Sequence, residues 1–193
     1  MTLCRLLVVS LLALSGCGSD GGSDSGGDDA VGLVFAGERD GASMTLGTSS
    51  LASFADVAGA TAEDGDTLLG AGTMTAAGFS FEAGHAGVYE ADLDATWVIS
   101  LEAETVVAWF VLNCGGDGTV IHEEVVMHSL GNANASAVQS HNPFNVTTLV
   151  EVQDGGTITC VLQHKLEVAG TGDGILFHGV DGYTSGTARY AAE

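Results

Sequence analysis

Short apolar or alternating segments recur from residue 31 to the end of the chain, and glycine-rich breaks separate them. No long window repeats its apolar residues with the 3.6-residue period of an amphipathic helix. The 193-residue chain contains 29 glycines and one proline, Pro143. Because short strands between frequent turns are typical of sandwiches and barrels, we predict an all-β fold, an antiparallel β-sandwich of one domain. The predicted strands cover residues 31–36, 43–48, 52–57, 73–81, 87–101, 106–113, 119–129, 145–152, 157–168, 175–178 and 188–190.

Residues 157–168 indicate most clearly how such a strand would lie. The even positions from Ile158 to His164 suit a buried face, whereas Lys165 belongs to the alternate set. Since successive side chains of a strand point to opposite faces, one face fits the core and Lys165 keeps the other near water. Cys160 is therefore predicted to point inward.

The N-terminal segment carries a second signal. Arg5 precedes an apolar run over residues 6–14, which is too short to span a membrane. The run ends in Leu14-Ser15-Gly16-Cys17, which resembles the lipobox of bacterial lipoproteins. That resemblance implies a signal peptide over residues 1–16, cleavage before Cys17, and lipidation of Cys17 with a diacylglyceryl group and further acyl chains. A core segment that happens to end in cysteine is the alternative.

The residues after Cys17 predict how the domain would be attached. Residues 18–29 contain only Gly, Ser and Asp, so they cannot bury apolar surface, and we predict a flexible tether over residues 17–30. The sandwich domain then covers residues 31–193. Gly18 stands where an Asp retains similar enteric lipoproteins at the inner membrane, so we expect a cell-envelope protein anchored in the outer membrane rather than the inner one.

Two cysteines remain after the signal peptide and the lipidation site. Cys4 leaves with the signal peptide, and Cys17 is used by the lipid. Cys114 and Cys160 would stand in an oxidising compartment, where two cysteines usually pair. We therefore predict a Cys114–Cys160 disulfide, which could join the two sheets; two isolated buried thiols are the alternative.

The charge of the chain excludes two classes of partner. The formal net charge is −21, and all 25 acidic residues follow the signal peptide, where only Arg39, Lys165 and Arg189 oppose them. Nucleic acid and anionic lipid surfaces would repel such a protein. Solubility, adaptation to high salt and binding of divalent cations each explain an acidic surface.

The order of the strand signals resembles the C1q/TNF-like jelly-roll superfamily, and in particular its C1q-like branch. The closest stretches are Phe79-Ser80-Phe81 followed by Ala86-Gly87-Val88-Tyr89-Glu90-Ala91, then residues 106–112 followed by Asn113-Cys114-Gly115-Gly116, then residues 149–152 followed by Asp154-Gly155-Gly156-Thr157-Ile158, and finally Phe177-His178-Gly179. The chain departs from the family in having Gly84-His85-Ala86 in place of the corner proline, and in having no collagen-like stalk.

The resemblance implies a jelly-roll of C1q/TNF-like type, a homotrimer, and rim loops that contact a protein or glycan ligand. Gly87 would allow a sharp corner, after which Tyr89 would pack inward while its hydroxyl finds a partner at the end of the sheet. Trp97 follows eight residues later and would share the face of Tyr89 if the strand is unbroken.

Six histidines raise the possibility of a metal site, namely His85, His122, His128, His141, His164 and His178. His122-Glu123-Glu124 followed by His128 is close to the H-E-x-x-H motif, but the second His comes six residues after the first. On one strand that spacing separates the two histidines by about 20 Å, which is too far for both to bind one zinc ion. A metal site would therefore require histidines from several loops, such as His85, His141 and His178.

Calcium is the stronger ion candidate, because acidic clusters supply hard oxygen ligands. The clusters are Glu63-Asp64-Gly65-Asp66, the pair Asp92/Asp94, and the pair Asp173/Asp181. The C1q-like branch binds calcium near its assembly axis, so the resemblance implies the same ion. Solvated acidic loops are the alternative.

No motif indicates catalysis. In Gly182-Tyr183-Thr184-Ser185-Gly186 the Ser stands one place too late for a nucleophile elbow, and residues 170–174 lack the lysine of a phosphate loop. We therefore expect a non-enzymatic binding or adhesion module, in which Phe144 or Tyr183 would be natural ligand contacts if exposed; each fits a core position equally well. One alternative is a metal-dependent or hydrolytic periplasmic enzyme, which requires at least three of the six histidines to converge. Another is a purely structural envelope lipoprotein.

Overall fold

The computed structural model describes residues 32–39, 44–45, 54–56, 65–75, 77–101, 105–131, 138–169, 175–180 and 184–192. These residues contain strands and turns but no helix. Their strands are β1 Gly32–Arg39, β2 Met44–Thr45, β3 Ala55–Asp56, β4 Asp66–Leu69, β5 Gly72–Thr75, β6 Gly78–Ala83, β7 Gly87–Leu101, β8 Thr105–Gly116, β9 Gly118–Glu123, β10 Val126–Gly131, β11 Val138–Val152, β12 Gly156–Ala169, β13 Ile175–Val180 and β14 Thr184–Ala192. Over the same ranges, therefore, no helical segment has the length and apolar character to cross a bilayer.

The strands form two antiparallel sheets. The first sheet has the order β4-β1-β14-β7-β11-β9. Along one edge of β7, β14 pairs with residues 88–94 and β13 pairs with residues 97–101, and β2 pairs with β13. The second sheet has the order β5-β6-β12-β8-β10, and the short β3 pairs with β12 beyond the end of β6. Buried side chains from both sheets form one hydrophobic cluster. The predicted all-β antiparallel sandwich is thus confirmed.

The eight strands with the most extensive pairing are paired in a regular order. In chain order these strands are β1, β6, β7, β8, β10, β11, β12 and β14. The first pairs with the last, the second with the seventh, the third with the sixth, and the fourth with the fifth, always antiparallel. The chain is therefore a long two-stranded ribbon that is wound into two sheets.

Aromatic rings fill the core along its length. Phe35 of the first sheet stacks on Phe79 of the second at 5.4 Å between ring centroids. Tyr89 and Trp97 are both fully buried, as expected for residues of one face of an unbroken strand. The Tyr89 hydroxyl donates a hydrogen bond to the carbonyl oxygen of His85 at 2.9 Å, which is the partner expected at the end of the sheet.

The alternating pattern of residues 157–168 is confirmed. Ile158, Cys160 and Leu162 are buried, and His164 is buried with them. Lys165 points to the opposite face, where its ammonium lies 4.7 Å above the centre of the Trp109 ring. The Trp109 ring can contact the aliphatic stem of Lys165 and also attract its charge, since cations are attracted to the faces of aromatic rings.

Several predicted strands need correction. The segment 73–81 contains two strands, β5 and β6, which pair antiparallel with each other. The segment 119–129 divides at Glu124-Val125 into β9 and β10, which belong to different sheets. Among the described residues of the segment 52–57, Ala55 and Asp56 form β3, and β4 has no counterpart in the prediction. Strands 106–113, 145–152 and 188–190 are longer than predicted, extending to the bounds of β8, β11 and β14.

The predicted Cys114–Cys160 disulfide is present. Its expected position between the two sheets is wrong, however. Cys114 of β8 and Cys160 of β12 are register partners in the second sheet, so the bond cross-links neighbouring strands of one sheet. Both side chains point to the core, and the alternating pattern alone could not distinguish a partner across the core from one beside it.

Candidate functional site

The histidines of the described residues are dispersed. His85 follows β6 and stands edge-on to Tyr190 at 4.5 Å between ring centroids. His122 is exposed on β9, and His164 is buried on β12. His141 and His178 belong to β11 and β13, and their side chains lie outside the described residues. Where the structure describes side chains, no three of His, Cys, Asp and Glu are grouped so as to hold a metal ion.

His128 is part of the aromatic core rather than of a loop cluster. The Trp97 indole N–H donates a hydrogen bond to His128 Nδ1 at 2.8 Å. The imidazole also contacts the Phe110 ring, and it stands edge-on to the Phe144 ring with 6.2 Å between ring centroids. Because Nδ1 accepts a hydrogen bond, the proton of the neutral ring is on Nε2. Burial lowers the pKa of His128 below its ordinary value of 6.5, because the surrounding rings solvate a cation poorly.

The acidic clusters are described only in part. Glu63, Asp64, Asp173 and Asp181 lie outside the described residues, and Asp66 is exposed at the start of β4. Asp92 and Asp94 are two residues apart on β7 and share its outer face. Thr147 Oγ1 donates to Asp92 Oδ1 at 2.6 Å, and Asn145 Nδ2 donates to Asp94 Oδ1 at 3.1 Å. Calcium binding remains a prediction.

Of the two alternatives for Phe144, a ligand contact or a core residue, the structure shows the core residue. Phe144 is 6 % exposed and stacks on Phe110 with 4.2 Å between ring centroids. It belongs to a 15-residue strand and not to a loop, so strand alternation turns its side chain into the core. Tyr183, the other expected contact, lies outside the described residues, as does Cys17.

A shallow depression of about 380 Å³ lies between β7 and β11, on the outer face of the first sheet. Its lining residues come from three consecutive register pairs: Asp94 with Asn145, Ala95 with Phe144, and Thr96 with Pro143. We call it the β7–β11 depression. Asp94, Pro143 and Asn145 are exposed. Ala95 and Phe144 are buried, so they contribute their backbone to its floor.

The two ends of the sandwich differ in their connection to the N-terminus. Gly32, the first described residue, pairs with Tyr190, which in turn pairs with Tyr89 near the start of β7. We call this the tether end, because the residues that precede Gly32 are attached there. Asp94 is five residues beyond Tyr89, so at about 3.4 Å per residue the depression lies roughly 17 Å along β7 from the level of Gly32, at the middle of that strand.

A second, smaller cavity of about 240 Å³ lies at the tether end itself. Its lining consists of Ala86, Gly87, Glu151, Val152 and Gln153. The β7–β11 depression is larger, faces outward, and combines a carboxylate, a carboxamide and a proline ring. Binding sites typically combine apolar surface with a few well-placed polar groups, and we therefore regard the depression as the candidate site.

Asp94 is recognisable in the sequence as part of an acidic pair, whereas its neighbours Thr96, Pro143 and Asn145 carry no binding motif. Pro143 offered a signal, because a proline within a strand lacks the N–H for a ladder hydrogen bond and marks a position where pairing is open on one side. In the described part of the chain, β9 pairs only with residues 148–152 of β11, so Pro143 does lie on a free stretch of that edge.

The chain matches no protein-family model, and a search of curated proteins finds no significant relative.

Proposed function

We propose that this protein is a lipid-anchored binding or adhesion module of the cell envelope, without catalytic activity, and that its ligand site is the β7–β11 depression. The lipobox-like Leu14-Ser15-Gly16-Cys17 and the Gly/Ser/Asp tether support the anchor. The observation that carries the proposal is the position of the β7–β11 depression on the exposed outer face of the first sheet, roughly 17 Å along β7 from the level of Gly32.

That position matters because an anchored domain is restricted at its attachment point. The tether is attached at one end of the sandwich, since Gly32 belongs to a strand that pairs with β14 over its whole length. A ligand in solution, or on another surface, reaches the outer face of the first sheet without meeting that attachment point. The chain's net charge of −21 also keeps the domain away from anionic headgroups.

We further propose a jelly-roll of C1q/TNF-like type that assembles as a homotrimer. The wound pairing of strands supports the jelly-roll, because eight strands in two Greek keys bring first to last and fourth to fifth. The two resulting four-strand sets, β1-β14-β7-β11 and β6-β12-β8-β10, alternate between the sheets as such a winding requires. The trimer rests on the family resemblance alone.

The anchor is tested by labelling cells with radioactive palmitate and fractionating their membranes. We expect the wild-type chain to carry label and to sediment with the outer membrane. Cys17→Ala should lose the label and appear in the soluble fraction, whereas Cys160→Ala, a matched cysteine change inside the domain, should keep the label. An unlabelled wild-type chain would refute the lipid anchor.

The assembly is tested by the absolute mass of the unlipidated mature chain, residues 17–193 with Cys17→Ala. Light scattering after size exclusion is measured with calcium and with a chelator. A mass of three chains supports the C1q/TNF-like type, and loss of the trimer in chelator would locate calcium in the assembly. A single-chain mass in both conditions would refute the trimer.

A further inference from the structure

We infer that the β7–β11 depression binds a neutral, hydroxyl-rich ligand with one apolar face, as a sugar ring has. The inference rests on the proposed function and names the ligand class of the same site. Its basis is the arrangement of two walls. Asp94 and Asn145 form a polar wall, and Thr96 and Pro143 form the opposite wall.

The polar wall can both donate and accept hydrogen bonds. Asn145 Nδ2 donates to Asp94 Oδ1 at 3.1 Å, and Asn145 Oδ1 stays available as an acceptor, because the single hydrogen of Thr147 Oγ1 is donated to Asp92 Oδ1 at 2.6 Å. An amide nitrogen has two hydrogens and a carboxylate has two oxygens, so each group retains capacity for a ligand. A hydroxyl group donates and accepts at once, and a carboxylate beside a carboxamide matches two neighbouring hydroxyls.

The opposite wall supplies apolar surface. Pro143 is exposed, and its ring presents only C–H groups to the depression. Thr96, its register partner, adds a methyl group and a hydroxyl. Residues two apart on a strand are about 7 Å apart, so the walls leave a slot suited to the edge of one ring. A ligand with hydroxyls on one side and C–H groups on the other satisfies both walls.

Charge decides which ligands are excluded. None of the six lining residues is Lys, Arg or His. The carboxylates of Asp92 and Asp94 lie on the same outer face, and an anion there would meet repulsion without compensation. Asp94 already accepts a hydrogen bond from a carboxamide, so it interacts with a neutral polar group of the kind that a hydroxyl-rich ligand would add. A neutral ligand therefore fits better than a phosphate, a uronic acid or a sulfated sugar.

The test uses the full mature chain in a zwitterionic detergent that carries no sugar headgroup. Its binding is measured to immobilised uncharged hexosides, N-acetylhexosaminides and their short oligomers, with uronic acids, amino sugars and spermine as charged comparators. We expect binding to at least one uncharged saccharide. Asp94→Ala should weaken that binding by at least about 10-fold, because it removes a charge-assisted hydrogen bond. Asn145→Asp should weaken it similarly by placing a second carboxylate in the wall.

Asp56→Ala is the matched control. Asp56 is an exposed strand aspartate of the second sheet that also accepts from a carboxamide, Gln163 Nε2, at 2.8 Å. The Asp56→Ala chain should bind the saccharide as tightly as the wild type does. Circular dichroism checks that each variant folds, and the control confirms that loss of an exposed carboxylate alone has no effect.

Three results would overturn the inference: no uncharged saccharide is bound, a folded Asp94→Ala chain binds as well as the wild type, or only the cationic comparators are bound. These failures are distinguishable from failure of the proposed function. If the chain carries palmitate and sediments with the outer membrane but binds no saccharide, the lipid anchor is supported and only the ligand class is refuted. If the chain carries no palmitate, the anchor is refuted, and the saccharide assay still tests binding at the depression.

Discussion

The Cys114–Cys160 disulfide should account for a large share of this domain's stability. The perturbation is reduction of the bond, or replacement of both cysteines by alanine. In the folded domain both sulfurs are buried against the core, so the native structure changes little when the bond opens. The main consequence is for the unfolded chain, which gains conformational freedom once the cross-link is gone.

The size of the effect follows from the loop that the bond closes. The two cysteines are 46 residues apart. The chain-entropy relation for a loop of that length predicts a loss of about 13.5 cal/mol/K, which corresponds to about 4 kcal/mol at 25 °C. For a domain of this size, about 2–4 °C of melting temperature accompany each kcal/mol, so the midpoint should fall by roughly 8–16 °C.

The assay is urea unfolding of the mature Cys17→Ala chain, followed by far-UV circular dichroism with and without dithiothreitol. Reduction should lower the unfolding free energy by about 4 kcal/mol without altering the folded spectrum. In the Cys114→Ala/Cys160→Ala chain, dithiothreitol should have no effect, which controls for the reagent. That double variant should be slightly less stable than the reduced wild type, because it also loses the packing of two sulfurs. A difference below about 1 kcal/mol between oxidised and reduced wild type would refute the chain-entropy argument.

Three further changes test the core. Because burial lowers the pKa of His128, the contribution of His128 to the unfolding free energy should be greatest above pH 6.5, fall as the pH drops below that value, and level off below the folded-state pKa. A pH series of urea unfolding should show a larger fall in the wild type than in His128→Gln; equal falls would contradict the burial of His128 as its source. Phe110→Ala should cost about 3–5 kcal/mol in the same assay, since the ring is fully buried between two other rings, and a cost below ~1 kcal/mol would contradict its place in the core. Gly87→Ala should cost about 1–3 kcal/mol, because φ is +139° there and the new methyl carbon would lie 2.4 Å from the Tyr190 ring; an unchanged melting temperature would contradict this geometry.

The bounds of the long strands and the alternation of their buried and exposed residues could be predicted from the sequence. β7 extends from Gly87 to Leu101, as predicted, and β12 differs from its predicted bounds by one residue at each end. Both are long segments in which burial of one face requires alternation, so the signal is local. The disulfide partners could also be predicted, since only Cys114 and Cys160 remained to pair.

The breaks within strands could not be predicted in the same way. The segment 119–129 contains no glycine or proline that would mark a break, yet it leaves the first sheet at Glu124 and enters the second at Val126. Whether a segment continues or crosses depends on which neighbours offer free backbone groups. Those neighbours, β11 and β8, are supplied by other parts of the chain.

The candidate site shows the same division. The acidic residues Asp92 and Asp94 are visible in the sequence, where they suggested a calcium cluster. Their actual partners, Thr147 and Asn145, are more than 50 residues away along the chain and reach them only through the register of β11 on β7. The sequence by itself determined the strand faces and the cysteine pairing, because those depend on local alternation and on composition. The tertiary structure alone decided which sheet each strand joins, where the disulfide lies, and which side chains line the depression, because strand register is set by contacts between distant segments.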